Sequence, residues 1–482
     1  MNNGNTHHYD TIIVGAGPAG IFEALRLIQL IEEDNDKDFQ ILMIDVGKPF
    51  EERECPMESL GKCVQCKPCR KTAGFAGAGC KSDGKVHVYT RDQKEIITGG
   101  NLSKVVGLSR TIELSERVHD ILDKYGARKK YYGLSNQAGV DNVRKLIETV
   151  PGMRMVKNAV RHIGTEHLRP VFLGMEQDLR NNPHVTLMFD TELIDLIIED
   201  NHIKGIITSK GVFYADTVSL NMGRYGGIKF CQLAKKHGIK IRPGVIDLGV
   251  RVEVPNTVQN LAKACGEVYE FKAVYLTPSY QDEVRTFCMN YKGEVAPENV
   301  GGITYVNGHA NGTIDKETDN TNFAILVSMS FTDVDEPMLY MDHIGKMANL
   351  LGGVIVQRLG DIRGHKRSWQ EEIQNNSVKA TMTSAKAGDL TLVYPYRIML
   401  DILEMIEALA EAFPGMASDD TLLYGAEVKY YGTETEYANR DTLETNIEGL
   451  FAGGDSSGST HGIVQAAGSG WAIAEGKYRK RK

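Results

Sequence analysis

The amino-acid sequence predicts an α/β fold in which one domain is built from discontinuous segments and an α+β domain is inserted between them. Residues 9–46 have the pattern of a strand, a glycine-rich turn, an amphipathic helix and a second strand. Glycine-rich clusters recur far along the chain, at 74–85 and 449–455. The length of 482 residues exceeds that of one typical domain, which agrees with a two-domain arrangement.

The turn at 15–20 has the glycine spacing of a dinucleotide site. Gly15 permits the tight turn, Gly17 lets a pyrophosphate approach the backbone, and Gly20 lets the helix pack closely on the strand. The N-H groups at the start of the helix face the phosphates. Asp45 ends the second strand, where an acid accepts hydrogen bonds from ribose hydroxyls. The alternative is an ordinary glycine-rich turn between strand and helix that binds no nucleotide.

Later segments complete the predicted domain. A period-2 pattern over 185–222 predicts a β-meander that ends in Met222-Gly223-Arg224. Gly453-Gly454-Asp455 then precedes a helix predicted over 462–475. The stretch between them carries strand patterns at 245–254 and 322–331 and helix patterns at 338–359 and 397–412. We therefore expect a nucleotide domain from 1–234 and 421–482, and an inserted substrate domain over 235–420.

Composition and charge exclude some classes of function. Apolar residues make up 42% and charged residues 24%, as in a folded globular protein. The net charge of −8 argues against non-specific nucleic-acid binding by the whole surface, although it does not exclude a local basic patch. No run of 18 apolar residues and no signal peptide is present, so we expect a cytoplasmic protein without a membrane partner. The basic residues at 477–482 are expected to be solvated.

Several longer strings carry a resemblance to a known family. They include Arg53-Glu54-Cys55-Pro56, Asp247-Leu248-Gly249-Val250-Arg251, Arg285-Thr286-Phe287-Cys288, Asn307-Gly308-His309 and Asn320-Thr321-Asn322. Together with the glycine motifs, they resemble the bacterial uncharacterised FAD-dependent dehydrogenases. The resemblance implies a Rossmann-type FAD-binding domain with an inserted substrate or cap domain. It also implies FAD contacts at Gly15, Gly17, Pro18, Ala19, Gly20, Asp45, Gly79, Ser82, Asp83, Lys85, Leu193, Gly223, Gly454 and Asp455.

Four residues are candidates for catalysis or substrate binding. His309 is expected in a polar loop, where an imidazole donates or accepts a proton; the alternative is a hydrogen-bonded loop histidine. Arg251 and Arg285 suit a substrate carboxylate or phosphate, but arginines in strands and turns also pair with Asp or Glu. His461 follows the last glycine cluster and is expected either to face the flavin or to begin a helix without further function.

Four cysteines fall within fifteen residues, at Cys55, Cys63, Cys66 and Cys69. Four thiolates are enough for a tetrahedral zinc or an iron-sulfur cluster. The alternatives are uncoordinated thiols or a redox disulfide. An iron-sulfur cluster would supply an electron route, since no second dinucleotide fingerprint is present for NAD(P)H.

The sequence thus predicts an FAD-dependent oxidoreductase that acts on a small molecule with an unidentified electron donor or acceptor. Two alternatives stay open. One is a flavoenzyme that modifies a nucleic-acid base, which the net charge of −8 does not favour. The other is a flavin-binding protein without catalysis.

Overall fold

The computed structural model describes residues 8–60, 64–82, 84–96, 98–310, 317–331, 337–430 and 433–481. The chain divides into two units. The first unit comprises Met1–Arg128, Thr165–Gly244 and Tyr431–Lys482, and the second comprises Lys129–Gly164 and Val245–Tyr430. The α/β fold class predicted from the sequence is confirmed.

The described residues of the first unit contain a seven-stranded sheet. In spatial order its strands are Val185–Met188, Ile41–Ile44, His8–Val14, Gly211–Leu220, His202–Thr208 and Leu193–Glu199, and Leu450–Ala452 pairs with Gly211–Leu220. The first four strands run parallel, and the last three of the ordered strands form an antiparallel meander. The predicted meander over 185–222 is therefore corrected at its start, since Val185–Met188 joins the parallel part of the sheet beside Ile41–Ile44.

The first unit also contains helices. They are Pro18–Asp34, Pro56–Leu60, Leu102–Val106, Leu108–Lys124, Thr165–Asn181, Gly227–His237 and Ile463–Arg481, with short strands at Lys85–Val88, Ile241–Pro243 and Thr433–Thr435. The helix Pro18–Asp34 has proline in its first turn and ends at Asn35, whose φ is 53°. A Cβ at Gly470 would overlap the carbonyl oxygen of Ala19, so glycine permits this close helix packing.

The second unit is built on an eight-stranded, mainly antiparallel sheet within its described residues. In spatial order its strands are Lys386–Ala387, Ile355–Arg358, Leu422–Tyr430, Ile246–Pro255, Asn320–Met329, Glu283–Asn290, Lys272–Leu276 and Met153–Val156. Its helices are Gln137–Glu148, Leu261–Val268, Pro337–Leu350, Leu359–Arg363, Gln370–Asn375 and Tyr396–Ala412. Tyr131–Tyr132 pairs antiparallel with Ala159–His162, and Glu294–Val300 forms a hairpin with Ile303–His309.

The central strand Ile246–Pro255 shows how this sheet is organised. Alternate residues of a strand point to opposite faces. Leu248, Val250 and Val252 belong to the main apolar core, which the helix Tyr396–Ala412 also lines. Asp247 and Arg251 therefore share the opposite face, which we call the polar sheet face. Its members include Asp247, Arg251, Lys272, Arg285, Phe287, Glu427 and Lys429.

Two sequence expectations differ from the observed organisation. We expected all of 1–234 to lie in the nucleotide domain, but Lys129–Gly164 belongs to the second unit. The helix expected over 338–359 ends earlier, at Leu350, and Ile355–Arg358 forms a strand. Gly352 and Gly353 have φ values of 119° and 107°, so the chain leaves the helix there. Among the described residues, no helix is long and apolar enough to cross a membrane.

Candidate functional site

The glycine-rich turn lies at the carboxyl ends of the parallel strands in the first unit. Gly15 has a φ of 108°, and a Cβ there would overlap the carbonyl oxygen of Asn221. A Cβ on Gly20 would overlap the carbonyl oxygen of Gly15, so both positions need glycine for packing. Gly17 differs, because the nearest atom to its Cβ position in the described part of the chain is Gly77 Cα at 3.9 Å. Space beside Gly17 is therefore open.

The second glycine cluster packs against this turn. The backbone N-H of Ala76 donates to the carbonyl oxygen of Ala16 at 2.8 Å. A short 3₁₀ helix then spans Gly77–Lys81. A Cβ position on Gly79 lies 3.5 Å from Pro18 and 3.7 Å from Ile463, which are the first residues of two helices. Segments far apart in sequence thus meet at the start of both helices.

Asp45 fastens these two segments together. Its Oδ2 accepts a hydrogen bond from the N-H of Ala16 at 2.8 Å. Its Oδ1 accepts from the N-H groups of Gly47 and Gly74, both at 2.8 Å. An ionised carboxylate offers about four acceptor positions, two on each oxygen. The donors among the described residues leave one position on Oδ2 for a further hydrogen bond.

The third cluster lies beside the same turn. Gly454 has a φ of 63°, and its Cβ position is 3.3 Å from the Cβ of Ala19. Its N-H donates to Ser469 Oγ at 3.0 Å. Asp455 accepts from Thr460 Oγ1 at 2.8 Å. Burial raises the pKa of Asp455 to about 6, against the opposing effects of Thr460 and the charge of Arg224.

The other residues predicted to contact the cofactor are placed as follows. Ser82 Oγ donates to the carbonyl oxygen of Gly79 at 3.0 Å, so it fixes the local turn. Lys85 begins the strand Lys85–Val88, and Leu193 is buried at the start of Leu193–Glu199. Gly223 has a φ of 58°, and its Cβ position has no atom within 4 Å among the described residues. Asp83 lies outside the described residues.

A buried ion pair joins the two helices and was missed by sequence reasoning. Lys477 Nζ lies 2.7 Å from Glu23 Oε1, and neither side chain is exposed. Lys477 also donates to Thr11 Oγ1 at 2.7 Å, and Asn221 Nδ2 donates to Glu23 Oε2 at 2.6 Å. The expectation of a solvated basic tail is therefore corrected for Lys477. A single lysine near a chain end carries no sequence signal for a partner more than 400 residues away.

Asn221 is a further polar residue at this end of the sheet. Its backbone N-H donates to the carbonyl oxygen of Val14 at 2.7 Å. Its Oδ1 is buried and has no hydrogen-bond partner among the described residues. Buried polar atoms are nearly always hydrogen-bonded in proteins. This atom therefore indicates that a donor is missing beside the glycine-rich turn.

Three of the four catalytic candidates lie in the second unit. Arg251 is fully buried and donates from Nε and Nη2 to both oxygens of Glu427, at 2.7 and 2.6 Å. Its Nη1 and Nη2 donate further to Asn322 Oδ1 at 3.3 Å and Asn307 Oδ1 at 3.0 Å, and Nη1 also donates to a backbone carbonyl. These contacts occupy all five N-H groups of the guanidinium. The geometry therefore favours a structural role for Arg251 over direct substrate binding.

Arg285 and His309 border the same region. Arg285 forms an ion pair with Asp247, and about a quarter of its side chain is exposed, at 23%. His309 is half-buried and ends the strand Ile303–His309, so the expected loop position is corrected. Its strand neighbour Asn307 contacts Arg251, which places His309 near the polar sheet face. His461, in the first unit, precedes the helix Ile463–Arg481, and its N-H donates to Gly99 O at 3.0 Å.

The predicted metal site gains no support. Cys55 and Cys66 are half-buried and Cys69 is buried, while Cys63 lies outside the described residues. Among the residues that the structure describes, no group of three or more His, Cys, Asp or Glu side chains is arranged to hold a metal ion. The described cysteines therefore provide no basis for an iron-sulfur or zinc centre.

Comparisons with known proteins give distant similarities. No protein-family model matches the chain. An uncharacterized protein of Clostridium beijerinckii is 22% identical over 494 residues, covering 96% of this chain and 80% of that protein. Quinol fumarate reductase of E. coli is similar in structure with a TM-score of 0.43 and 13% identity, covering 98% of this chain and 70% of that one. Glycine oxidase of Geobacillus kaustophilus has a TM-score of 0.40 and 12% identity, covering 98% and 95%. L-proline dehydrogenase of P. horikoshii has a TM-score of 0.42 and 11% identity, covering 97% and 93%.

Proposed function

We propose that this chain is an FAD-dependent oxidoreductase that acts on a small molecule. The observation that carries the proposal is the meeting of three separated glycine segments at the carboxyl ends of the parallel strands. Ligands of open α/β sheets bind at this end. The first unit is then the cofactor-binding unit, and the second is the unit that supplies substrate contacts.

The residues at this end of the sheet fit a dinucleotide. Gly17 leaves space that a side chain would fill, as close approach of a pyrophosphate requires. The first turn of Pro18–Asp34 contains no acidic residue and no side-chain cap, so its N-H groups suit a phosphate. The remaining acceptor position of Asp45 Oδ2 suits a ribose hydroxyl. The unpartnered Oδ1 of Asn221 provides another acceptor nearby.

The last glycine cluster would hold another part of the cofactor. Gly454 lies beside Ala19, and Asp455 offers a carboxyl group for a ribityl hydroxyl. When bound, FAD supplies the redox step by accepting or donating a hydride or electrons. The protein's own tasks are then to orient the substrate, exclude water and hold the proton that leaves or joins the substrate. His309 and His461 are the imidazoles proposed for that proton.

Flavin extraction tests this proposal. Acid precipitation of the purified 482-residue chain should release a flavin that co-elutes with FAD in chromatography, because no covalent attachment is expected. The free protein should also bind added FAD more tightly than riboflavin, since riboflavin lacks the pyrophosphate that the Gly17 region would contact. Release of FMN, or absence of any flavin and failure to bind added FAD, would contradict the proposal.

A further inference from the structure

We propose that Arg53 is a positioning residue for nucleotide binding. It holds the buried loop 73–76 in place, and this loop in turn keeps the carboxylate of Asp45 in the orientation that accepts a hydrogen bond from a ribose hydroxyl. The inference rests on the proposed function in one respect, since the ribose belongs to the FAD proposed for the first unit. The hold of Arg53 on the loop is a property of the protein alone and can be measured without any nucleotide.

The loop 73–76 is buried although it forms neither a helix nor a strand. Backbone N-H and C=O groups that are removed from water need hydrogen-bond partners, and regular secondary structure does not supply them in this loop. The partners therefore come from other segments of the chain. They fall into two groups, one for the N-H groups and one for the C=O groups.

The N-H groups of the loop bind the residues around the glycine-rich turn. Gly74 N-H donates to Asp45 Oδ1 at 2.8 Å. Ala76 N-H donates to the carbonyl oxygen of Ala16, also at 2.8 Å. The loop therefore lies directly beside the carboxylate that the proposed function assigns to the ribose.

The carbonyl groups just before and within the loop accept hydrogen bonds from the guanidinium of Arg53. Nε donates to Arg70 O at 3.2 Å, Nη2 donates to Lys71 O at 2.8 Å, and Nη1 donates to Phe75 O. Carbonyl oxygens carry partial negative charge, so three that converge on one point repel one another unless donors lie between them. The planar guanidinium offers N-H groups in several fixed directions, which suits three separate acceptors.

The aliphatic stem of Arg53 also restricts Gly74. A Cβ on Gly74 would lie 2.8 Å from Arg53 Cδ and 2.5 Å from Lys48 O, and the φ of Gly74 is 102°. Gly74 is therefore enclosed between the arginine stem and the backbone of Lys48. Only 2% of Arg53 is exposed, so water competes little for its hydrogen bonds. The peptide group of Gly74 consequently has little freedom to turn its N-H away from Asp45.

Arg53 thus acts on the nucleotide site through Gly74 and Asp45. The N-H groups of Gly47 and Gly74 hold Oδ1 of Asp45, and the N-H of Ala16 holds Oδ2. Without the bond from Gly74, the carboxylate can rotate, and the remaining acceptor position on Oδ2 loses its fixed direction. A hydrogen bond from a ribose hydroxyl to this charged group then loses its favourable geometry.

The specific test compares ADP with dideoxy-ADP, the analogue that lacks both ribose hydroxyls, by calorimetric titration of the cofactor-free 482-residue chain. The wild type should bind ADP about tenfold or more tightly than dideoxy-ADP, because one charge-assisted hydrogen bond distinguishes the two. Arg53→Met should bind both nucleotides with nearly equal affinity, and its affinity for dideoxy-ADP should stay close to that of the wild type. A merely structural loss would weaken both nucleotides in parallel and leave their ratio unchanged.

Amide hydrogen exchange of the same cofactor-free protein measures the hold of Arg53 on the loop directly. Peptides that cover the N-H groups of 73–77 should exchange about tenfold or more faster in Arg53→Met, because the loop opens more often once its carbonyl groups lose their donors. Peptides from the strand Ile41–Ile44 should exchange as in the wild type, which shows that the effect is local.

Arg26→Met is the matched control. Arg26 is a half-buried arginine of the same unit, but it pairs with Glu33 at 3.0 Å and lies over the ring of Trp471 at 5.2 Å. Its replacement should change neither the exchange of the loop nor the preference for ADP.

Arg53→Lys keeps the test decisive if Arg53→Met fails to fold. Lysine retains the positive charge but donates from a single nitrogen, so it cannot reproduce the spread of the guanidinium N-H groups. This variant should keep part of the exchange protection and part of the preference for ADP.

The outcomes separate this inference from the proposed function. Loop exchange in the folded Arg53 variants equal to that of the wild type would overturn the inference, as would an unchanged ratio of the affinities for ADP and dideoxy-ADP. A wild type that binds FAD but does not prefer ADP to dideoxy-ADP would overturn the inference and leave the proposed function standing. A wild type that binds neither nucleotide nor FAD would contradict the proposed function and the ribose role of Arg53 together, and the exchange result would still show whether Arg53 holds the loop.

Discussion

Replacement of Gly17 by alanine separates cofactor binding from folding. Among the described residues, the Cβ of an alanine at this position meets only Gly77 Cα, at 3.9 Å, which is ordinary van der Waals contact. The backbone is extended there, with φ −78° and ψ −176°, so alanine adopts it without strain. We therefore expect Gly17→Ala to fold, with a loss of about 1 kcal/mol at most because alanine is a poor N-cap residue.

FAD binding by this variant should be much weaker. The added methyl group occupies the space in which the pyrophosphate would approach the backbone. Loss of one hydrogen bond to a charged group costs about 1.5–3 kcal/mol, which corresponds to roughly 10- to 150-fold weaker binding. Gly17→Val, with a larger side chain, should abolish binding.

Two matched glycine variants serve as controls. Gly20→Ala should destabilise the free protein by about 1–3 kcal/mol or more, because its Cβ would overlap the carbonyl oxygen of Gly15. Gly266→Ala lies in a helix of the second unit, has no atom within 4 Å of its Cβ position among the described residues, and should leave FAD affinity unchanged. The assay is titration of cofactor-free protein with FAD, paired with thermal unfolding. A folded Gly17→Ala protein that binds FAD as tightly as the wild type would refute the placement of the pyrophosphate.

Three further predictions concern stability and redox behaviour. Lys477→Met should destabilise the protein by about 3–5 kcal/mol in denaturant unfolding, because the buried Glu23 loses its counter-charge and keeps only neutral hydrogen-bond donors, and adding Glu23→Gln should recover most of that loss; equal stability of single variant and wild type would contradict the buried pair. Burial raises the pKa of Asp401 to about 6, with Asp282 beside it, so the ionised form is disfavoured in the folded state and this residue's contribution to stability falls as pH rises from about 4 to about 6. Asp401→Asn mimics the protonated form, and its melting temperature relative to the wild type should be higher at pH 8 than at pH 4; a constant difference would refute this. Anaerobic reduction of the flavin by micromolar NADH should be slow, because the sequence has a single dinucleotide fingerprint, and rapid bleaching would show that NADH has a site.

Some parts of the candidate site have a signal in the local sequence, and other parts do not. The spacing of Gly15, Gly17 and Gly20 is visible because the three glycines lie within six consecutive residues, so the motif can be recognised without knowing which distant residues pack against it. The pairing of Arg251 with Glu427 is not visible, since the two residues are 176 positions apart and neither strand pattern identifies the other's partner.

The sequence by itself determined the α/β class, the strand, turn and helix at the start of the chain, and the identity of the glycine segments that meet there. These features depend on φ angles, side-chain volume and hydrophobic period, which are properties of neighbouring residues. Only the tertiary structure decided that Lys129–Gly164 belongs to the second unit and that Lys477 is buried against Glu23. It also decided that Arg251 is held by Glu427 while Lys429 faces the same carboxylate. Such pairings depend on which strands and helices become neighbours. Burial in the assembled sheet then sets how strongly the paired charges interact.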